Sequence, residues 1–296
     1  MNKLILTFIL LICWGQSDAQ YAYFGTRGKI SFDKVTFTKA RVRSMTQNAD
    51  PNMMMRFGGG GGFNLDNMPE STTQKLMLYF DENSTVLTVD PSAEETATPN
   101  NSGNRAVVRA GAGGGRGGNM GGGNFRMNAG VGGNMPRGRM NNNSKVFHQN
   151  LKDGTSNVQL EIDEKYIISD SLNNITWRFT NEYREIAGFE CRRVNGSTPD
   201  SLYLVAFYTD QIPVSAGPAL SSGLPGMIMG LAIPEMHIQY WATKVDYTND
   251  TTPTDWKDKK ANALTLDDFV KNFGRMFQRG RDSNTAKRQI QEQLIY

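Results

Sequence analysis

The sequence predicts a mainly β fold: a single curved antiparallel sheet or half-barrel, with C-terminal helices and a disordered insert rich in Gly, Met and Asn. Three observations carry the prediction. Apolar residues recur with period two along most of the chain, the signature of half-buried strands. Polar turn signals separate these runs at close spacing, which suits an antiparallel meander and not βαβ units. Glycine is segregated, with 19 of the 31 residues lying between Gly58 and Gly138.

The first nineteen residues read as an export signal. Lys3 supplies the positive charge, Leu4–Ile12 the apolar stretch, and Ser17-Asp18-Ala19 the small residues that a signal peptidase requires. Ile12 before Cys13 does not fit a lipidation site, so cleavage after Ala19 is expected, with export to the periplasm, the outer membrane or beyond. The apolar stretch is too short to span a bilayer, and no transmembrane helix is expected in the mature chain. Cleavage also removes Cys13, leaving Cys191 as the sole thiol, so no internal disulfide can staple the mature chain.

The β domain is expected over 20–263, interrupted by low-complexity segments at about 52–62 and 91–143. Ile30 and Phe32 share one face of the first strand, and Val35 with Phe37 continue it after a slip at Asp33-Lys34. Leu76, Leu78 and Phe80 alternate before the turn Asp81–Ser84, and Val86 with Thr88 follow it. Asp153-Gly154 is a type I′ hairpin signal, after which Val158, Leu160 and Ile162 alternate. Ile175, Trp177 and Phe179 form the next strand, Met236, Ile238 and Tyr240 a later one. Leu202–Tyr208 is apolar on both faces and reads as a central strand buried on both sides. From 264 to 296 the period becomes helical, with Leu266, Phe269, Val270, Phe273, Met276 and Phe277 on one stripe. Thr265 fits the N-cap and Asp267-Asp268 the positive end of the dipole. A shorter helix over about 284–294 completes the C-terminus, and both helices are expected to pack on the sheet.

The insert has too little apolar side chain to offset its backbone entropy. It carries no Asp or Glu from Thr96 to Lys152, yet it includes Arg105, Arg109, Arg116, Arg126, Arg137 and Arg139. Arg116-Gly117-Gly118 resembles segments that coat single-stranded RNA, but export and the near absence of stacking aromatics favour a solvated basic linker. Total charge agrees: 32 Lys and Arg against 29 Asp and Glu gives only +3, and no nucleic-acid partner is expected. Two Cys and two His supply too few ligands for a zinc or iron–sulfur site, so no metal and no cofactor is expected.

Cys191 with His148 or His237 as base is the sole nucleophile pair involving a thiol, but Cys191 alternates with Phe189 and reads as a small buried hydrophobe. Ser215, Ser221 and Ser222 lack a Gly-x-Ser-x-Gly elbow. No catalytic residue is assigned. A hydrolase using a Ser in 215–222 or Cys191 is a further alternative.

The segment Gly217-Pro218 followed by Gly223-Leu224-Pro225-Gly226-Met227-Ile228 resembles the signature of the GLPGLI family, exported envelope proteins of Gram-negative bacteria. Met227 replaces Leu, a volume-conserving change. Trp177, Gly188 and Cys191 match further family-like structural positions in order. The resemblance implies an exported envelope protein and supplies no activity. In Leu224-Pro225-Gly226-Met227, Pro225 presets φ and Gly226 is expected at positive φ in a type II turn. That turn reads as a structural corner fixing register, or alternatively as an apolar loop, Leu224 with Ala219–Ser222, offered to a partner. Two roles are therefore expected. One is a non-enzymatic protein that binds another envelope protein through its sheet or the Gly-Leu-Pro-Gly corner. The other is a carrier of an apolar ligand or lipid in a half-barrel capped by the Thr265–Gln278 helix.

Overall fold

The computed structural model describes residues 25–47, 68–92, 145–172, 174–277 and 294–295. The expected signal peptide, the low-complexity segment at about 52–62, the 93–143 part of the one at about 91–143, and the 284–293 part of the last helix lie outside the described residues.

Two meanders share one sheet. The first comprises β1 (Gly28–Thr36), β2 (Thr72–Phe80), β3 (Ser84–Val89), β4 (Val146–Asn150), β5 (Thr155–Glu161) and β6 (Lys165–Ser171). The second comprises β7 (Thr176–Ile186), β8 (Phe189–Ser197), β9 (Tyr203–Thr209), β10 (Met227–Ile233) and β11 (Ile238–Tyr247). Antiparallel pairing of β1 with β11 joins them, and a short β12 (Asn262–Thr265) adds to β6. The order across the 12 strands is β12-β6-β5-β4-β3-β2-β1-β11-β10-β9-β8-β7. The single curved sheet expected from the alternation is present. One pairing departs from it, because β12 runs parallel to β6.

Chain connectivity forces the curvature. Strands β6 and β7 stand ten spacings apart in the order, about 48 Å if the sheet were flat. Only residues 172–175 link them, a reach of roughly 18 Å between the strand ends. The sheet must therefore roll up. Register shifts at Ser31/Phe32, Phe179/Tyr183 and Ile228/Gly230 mark bulges, which bend and twist strands locally. Ile30, Phe32, Leu78, Leu87, Leu160, Leu204, Leu231 and Tyr240 then fill the inside, each almost wholly buried.

Several local expectations need correction. The strand buried on both faces is β10, where Met227–Leu231 are all buried, while Tyr203 of β9 is exposed and Val205 and Phe207 are half-buried. Met236 belongs to a 3-10 turn, Pro234–Met236, because Pro234 lacks the N–H a strand needs there, and β11 begins at Ile238. The hairpin after β4 has four loop residues, 151–154, with Gly154 at φ 65° and Asp153 not left-handed, so the turn is not type I′. Asn150 Oδ1 closes it by accepting the backbone N–H groups of Lys152 and Asp153. No slip occurs at Asp33-Lys34, since β1 pairs with β2 in unbroken register from Gly28 to Thr36. Lys34, not Val35, therefore shares the inner face with Ile30 and Phe32.

Helix α1 (Thr38–Gln47) follows β1 directly, and α2 (Leu266–Phe277) follows β12. The α2 start is as read from the sequence. Thr265 Oγ1 accepts the Asp268 N–H at 3.1 Å and donates to the Asp268 carboxylate at 2.8 Å. Phe269 is fully buried, and Tyr166 packs edge-on against Phe273. Leu294 is buried in the core cluster and Ile295 packs against it.

Between β11 and β12, residues 248–261 form a strap across the outer face of β3–β6. Asp81 Oδ2 accepts the Thr252 N–H and hydroxyl at 3.0 and 2.9 Å. Trp256 stacks on His148 with ring centroids 4.5 Å apart. The Asp258 N–H donates to Gln159 Oε1 at 2.8 Å, and the Asp258 carboxylate pairs with Lys165 at 2.7 Å.

Candidate functional site

The sequence singles out the segment between β9 and β10, residues 210–226. In the fold it is neither a surface bend nor an offered loop. Ile212, Val214, Ala216, Ala219, Leu220 and Leu224 are all buried. Gln149 Nε2 donates to the Gly217 carbonyl at 3.3 Å, although β4 and β10 are five spacings apart in the sheet. That contact requires the segment to cross the inside of the curl. It acts as a plug.

A buried loop must satisfy its own backbone groups. Here Ile228 donates to Ala216 O at 2.8 Å, Met227 to Ile212 O at 3.0 Å, and Ala216 pairs with Ser222 in an isolated bridge. The Trp177 indole N–H donates to Ser222 O at 2.9 Å. The Gly-Leu-Pro-Gly turn also differs from the type II expectation. Positive φ occurs at Ala219 (54°), Leu220 (57°) and Gly223 (88°), not at Gly226. Gly226 is needed for closeness instead, because a Cβ there would overlap the Thr209 carbonyl oxygen. Gly217 is similarly confined, with the Ile228 Cβ 2.5 Å from where its own Cβ would stand. Pro218 serves through its carbonyl, which accepts from the Ser221 hydroxyl at 2.6 Å and the Ser221 N–H at 3.1 Å. Pro225 lies in the bend between Leu224 and Gly226 that leads into β10.

The candidate nucleophiles are engaged in structure. Ser215 Oγ accepts the Gly223 N–H at 3.1 Å, and Ser221 and Ser222 are buried. Cys191 is fully buried, and burial pushes its thiol up to about 12, with the Ile186 backbone opposing and Glu190 adding to the rise. Its Sγ donates to Phe189 O at 3.4 Å. His148 sits under Trp256, where burial lowers its pKa against the opposing charge of Asp81. His237, left-handed at φ 55°, caps the 3-10 turn. The three candidates are engaged separately, the thiol with the Phe189 carbonyl, His148 with Trp256 and His237 at the 3-10 turn. Gly188, at φ 84°, makes the tight β7–β8 turn.

The sequence reading missed a surface cluster at the outer end of the sheet. Strand β7 is terminal in the order, and Phe179 (47%) and Tyr183 (57%) are exposed there on the face that Arg192 and Tyr208 share. The Arg192 guanidinium lies over both β7 rings, 5.3 Å from the Phe179 centroid and 6.0 Å from that of Tyr183. Arg192 Nε also donates to Thr180 O at 2.7 Å, and Arg193 pairs with Glu182 at 2.6 Å, so the bulge over 180–182 is pinned from β8. The signal was present in Trp177-Arg178-Phe179 and Tyr183-Arg184, but nothing local marks that strand as the sheet's end.

Under α2, a void lined by Val158, Ile168, Leu220, Leu266, Leu294 and Ile295 measures about 20 Å³. That is room for a water molecule and not for an acyl chain. Among the described residues, no group of three or more His, Cys, Asp or Glu gathers, and no helix is long and apolar enough to cross a membrane.

The profile of a family described as "Protein of unknown function (Porph_ging)" matches residues 175–230, which run from the start of β7 through the plug into β10. No curated protein matches the chain. Two solved structures of PNGF-II are similar to it. The form in space group P21 is 11% identical with a TM-score of 0.45, covering 83% of this chain and 32% of that one. The form in space group C2 is 12% identical with a TM-score of 0.43, covering 81% and 30%. The chain therefore spans about a third of the length of the solved structures it matches.

Proposed function

We propose that this chain is a non-enzymatic exported envelope protein that binds another envelope protein through the β7 end of its sheet. The observation that carries the reading is the pair of exposed rings Phe179 and Tyr183 on a terminal strand, with the Arg192 guanidinium over both. Exposed aromatic rings with arginine are the residue types enriched at protein interfaces. The Gly-Leu-Pro-Gly corner supports the partner surface from within, since Leu224 is buried and Trp177 of β7 is tied to Ser222. Membership of the GLPGLI family is part of the proposal. Its support is the motif from Gly217 to Ile228 with Trp177, Gly188 and Cys191, all inside the matched segment 175–230.

A photo-crosslinking residue placed at Tyr183 in the native cell tests the reading. It should trap one discrete partner, and Arg192→Ala should abolish that adduct, while a crosslinker at Lys29 should not yield it. The same adduct from both positions, or none from Tyr183, would sink the proposal. The carrier reading has less support, because the plug occupies the concavity and little space remains beneath α2.

A further inference from the structure

The exposed face of β7 carries a charge pattern beside its rings. By register, Tyr183, Arg192 and Tyr208 form one row across β7, β8 and β9. Phe179 meets Tyr208 edge-on, with ring centroids 6.1 Å apart. The Arg192 guanidinium lies over Phe179 and Tyr183 and spends only its Nε–H within the described fold, on the Thr180 carbonyl at 2.7 Å. Stacking leaves the in-plane terminal N–H groups of a guanidinium open to two oxygens of one carboxylate. Among the described residues no carboxylate takes them, since Glu182, the acid of the neighbouring bulge, pairs with Arg193 at 2.6 Å.

One row further along the same face, Glu185 stands directly opposite Glu190. Both are exposed, and among the described residues neither pairs with a cation. Like charges facing each other across a strand pair destabilise it, and a cation from outside removes that cost. The two rows are two residues apart, about 7 Å along the strands. The free edge of β7 is a poor docking line, because the bulge over 180–182 twists the terminal strand away from flat pairing. The face is the better one.

Resting on the reading of β7 as the partner surface, we propose that the partner lays an extended segment on this face, with a carboxylate against Arg192 and, two residues on, a Lys or Arg between Glu185 and Glu190. Apolar side chains of that segment rest on Phe179 and Tyr183. The two opposite charges fix its direction and register. The alternation also selects against a purely anionic ligand such as a phospholipid surface, which would meet two carboxylates beside one arginine.

The photo-crosslinker at Tyr183, in the full chain and the native cell, is combined with two sets of substitutions. Arg192→Lys keeps the charge and loses the fork, and Glu185→Lys with Glu190→Lys reverses the second row. Each should cut the adduct yield about tenfold. Mass spectrometry of the trapped peptide should find an acidic and a basic residue two positions apart. Replacing that basic residue of the partner by Glu should restore the adduct of the doubly substituted chain. Glu185 and Glu190 hold no bond in the described fold, so the double variant reports on docking even where loss of the Thr180 contact disturbs Arg192→Lys. No adduct from the unsubstituted background sinks the partner surface itself, and the pairing with it. An adduct that survives both sets, or a trapped peptide without that charge pair, overturns the pairing alone. So does capture of phosphatidylglycerol vesicles by the purified chain that Arg192→Gln abolishes.

Discussion

Replacing Asp81 with Ala removes the group that ties the β2–β3 turn to the strap. Its Oδ1 accepts the Asn83 and Ser84 N–H groups, both at 2.8 Å, and its Oδ2 accepts the Thr252 N–H and hydroxyl. Bonds to a charged acceptor contribute about 1.5–3 kcal/mol each. Four bonds on one carboxylate are not additive, and the freed turn N–H groups recover water, so a loss of about 2–4 kcal/mol is expected. At roughly 2–4 °C per kcal/mol for a domain of this size, the midpoint should fall on the order of 5–15 °C. Burial raises the Asp81 pKa, but the bonds from Thr252, Asn83 and Ser84 outweigh it and hold the carboxyl below the usual range. The folded-state pKa is thus depressed. Its contribution is complete above the unfolded value near 4 and is lost as pH falls through the folded one. Urea unfolding of both proteins from pH 7 down to about pH 2 checks this. The gap should be widest at neutral pH and narrow in acid. A gap under about 0.5 kcal/mol at neutral pH, or one that stays constant into acid, would refute the reasoning.

Three further expectations concern the plug and its anchor, and a fourth the β4–β5 hairpin. Gly226→Ala drives a methyl into the Thr209 carbonyl and should cost about 2–3 kcal/mol in chemical denaturation. Gly154→Ala, whose site has open space but φ 65°, should cost only about 1 kcal/mol. Leu220→Ala should cost about 2–5 kcal/mol and enlarge the void beneath α2, detectable as xenon uptake in a crystal. Trp177→Phe removes the donor to Ser222 O and should cost about 1–2 kcal/mol, with faster amide exchange in the plug than in β2.

Alternation in β2 and β5 was legible because inward residues such as Leu76, Leu78, Phe80, Val158 and Leu160 are apolar on their own account. The α2 cap was legible for the same reason, since Thr265 and Asp268 act within one turn. The plug was not. Its Gly, Pro and Ser content is that of a solvated bend, and its burial follows from the rolling of a sheet whose ends are linked by residues 172–175. Lys34 was misplaced because apolar faces were expected to continue inward, so a slip was inferred where the register is unbroken. Helix α1 offers Val42 and Met45 as its only strongly apolar residues, too few for a helical stripe. The β7 cluster needed the strand order, which no local pattern carries.

Strand β1 sits between β2, which follows it closely in the chain, and β11, which ends at Tyr247. A ribosome making about 5–20 residues per second delivers β11 on the order of ten to forty seconds after β1. Throughout that wait, the newborn first meander exposes a nine-residue ladder of unsatisfied amides and carbonyls together with Ile30 and Phe32. The nascent chain is therefore most vulnerable to sticking to its neighbours in that interval, and a holding chaperone would find its target along this seam.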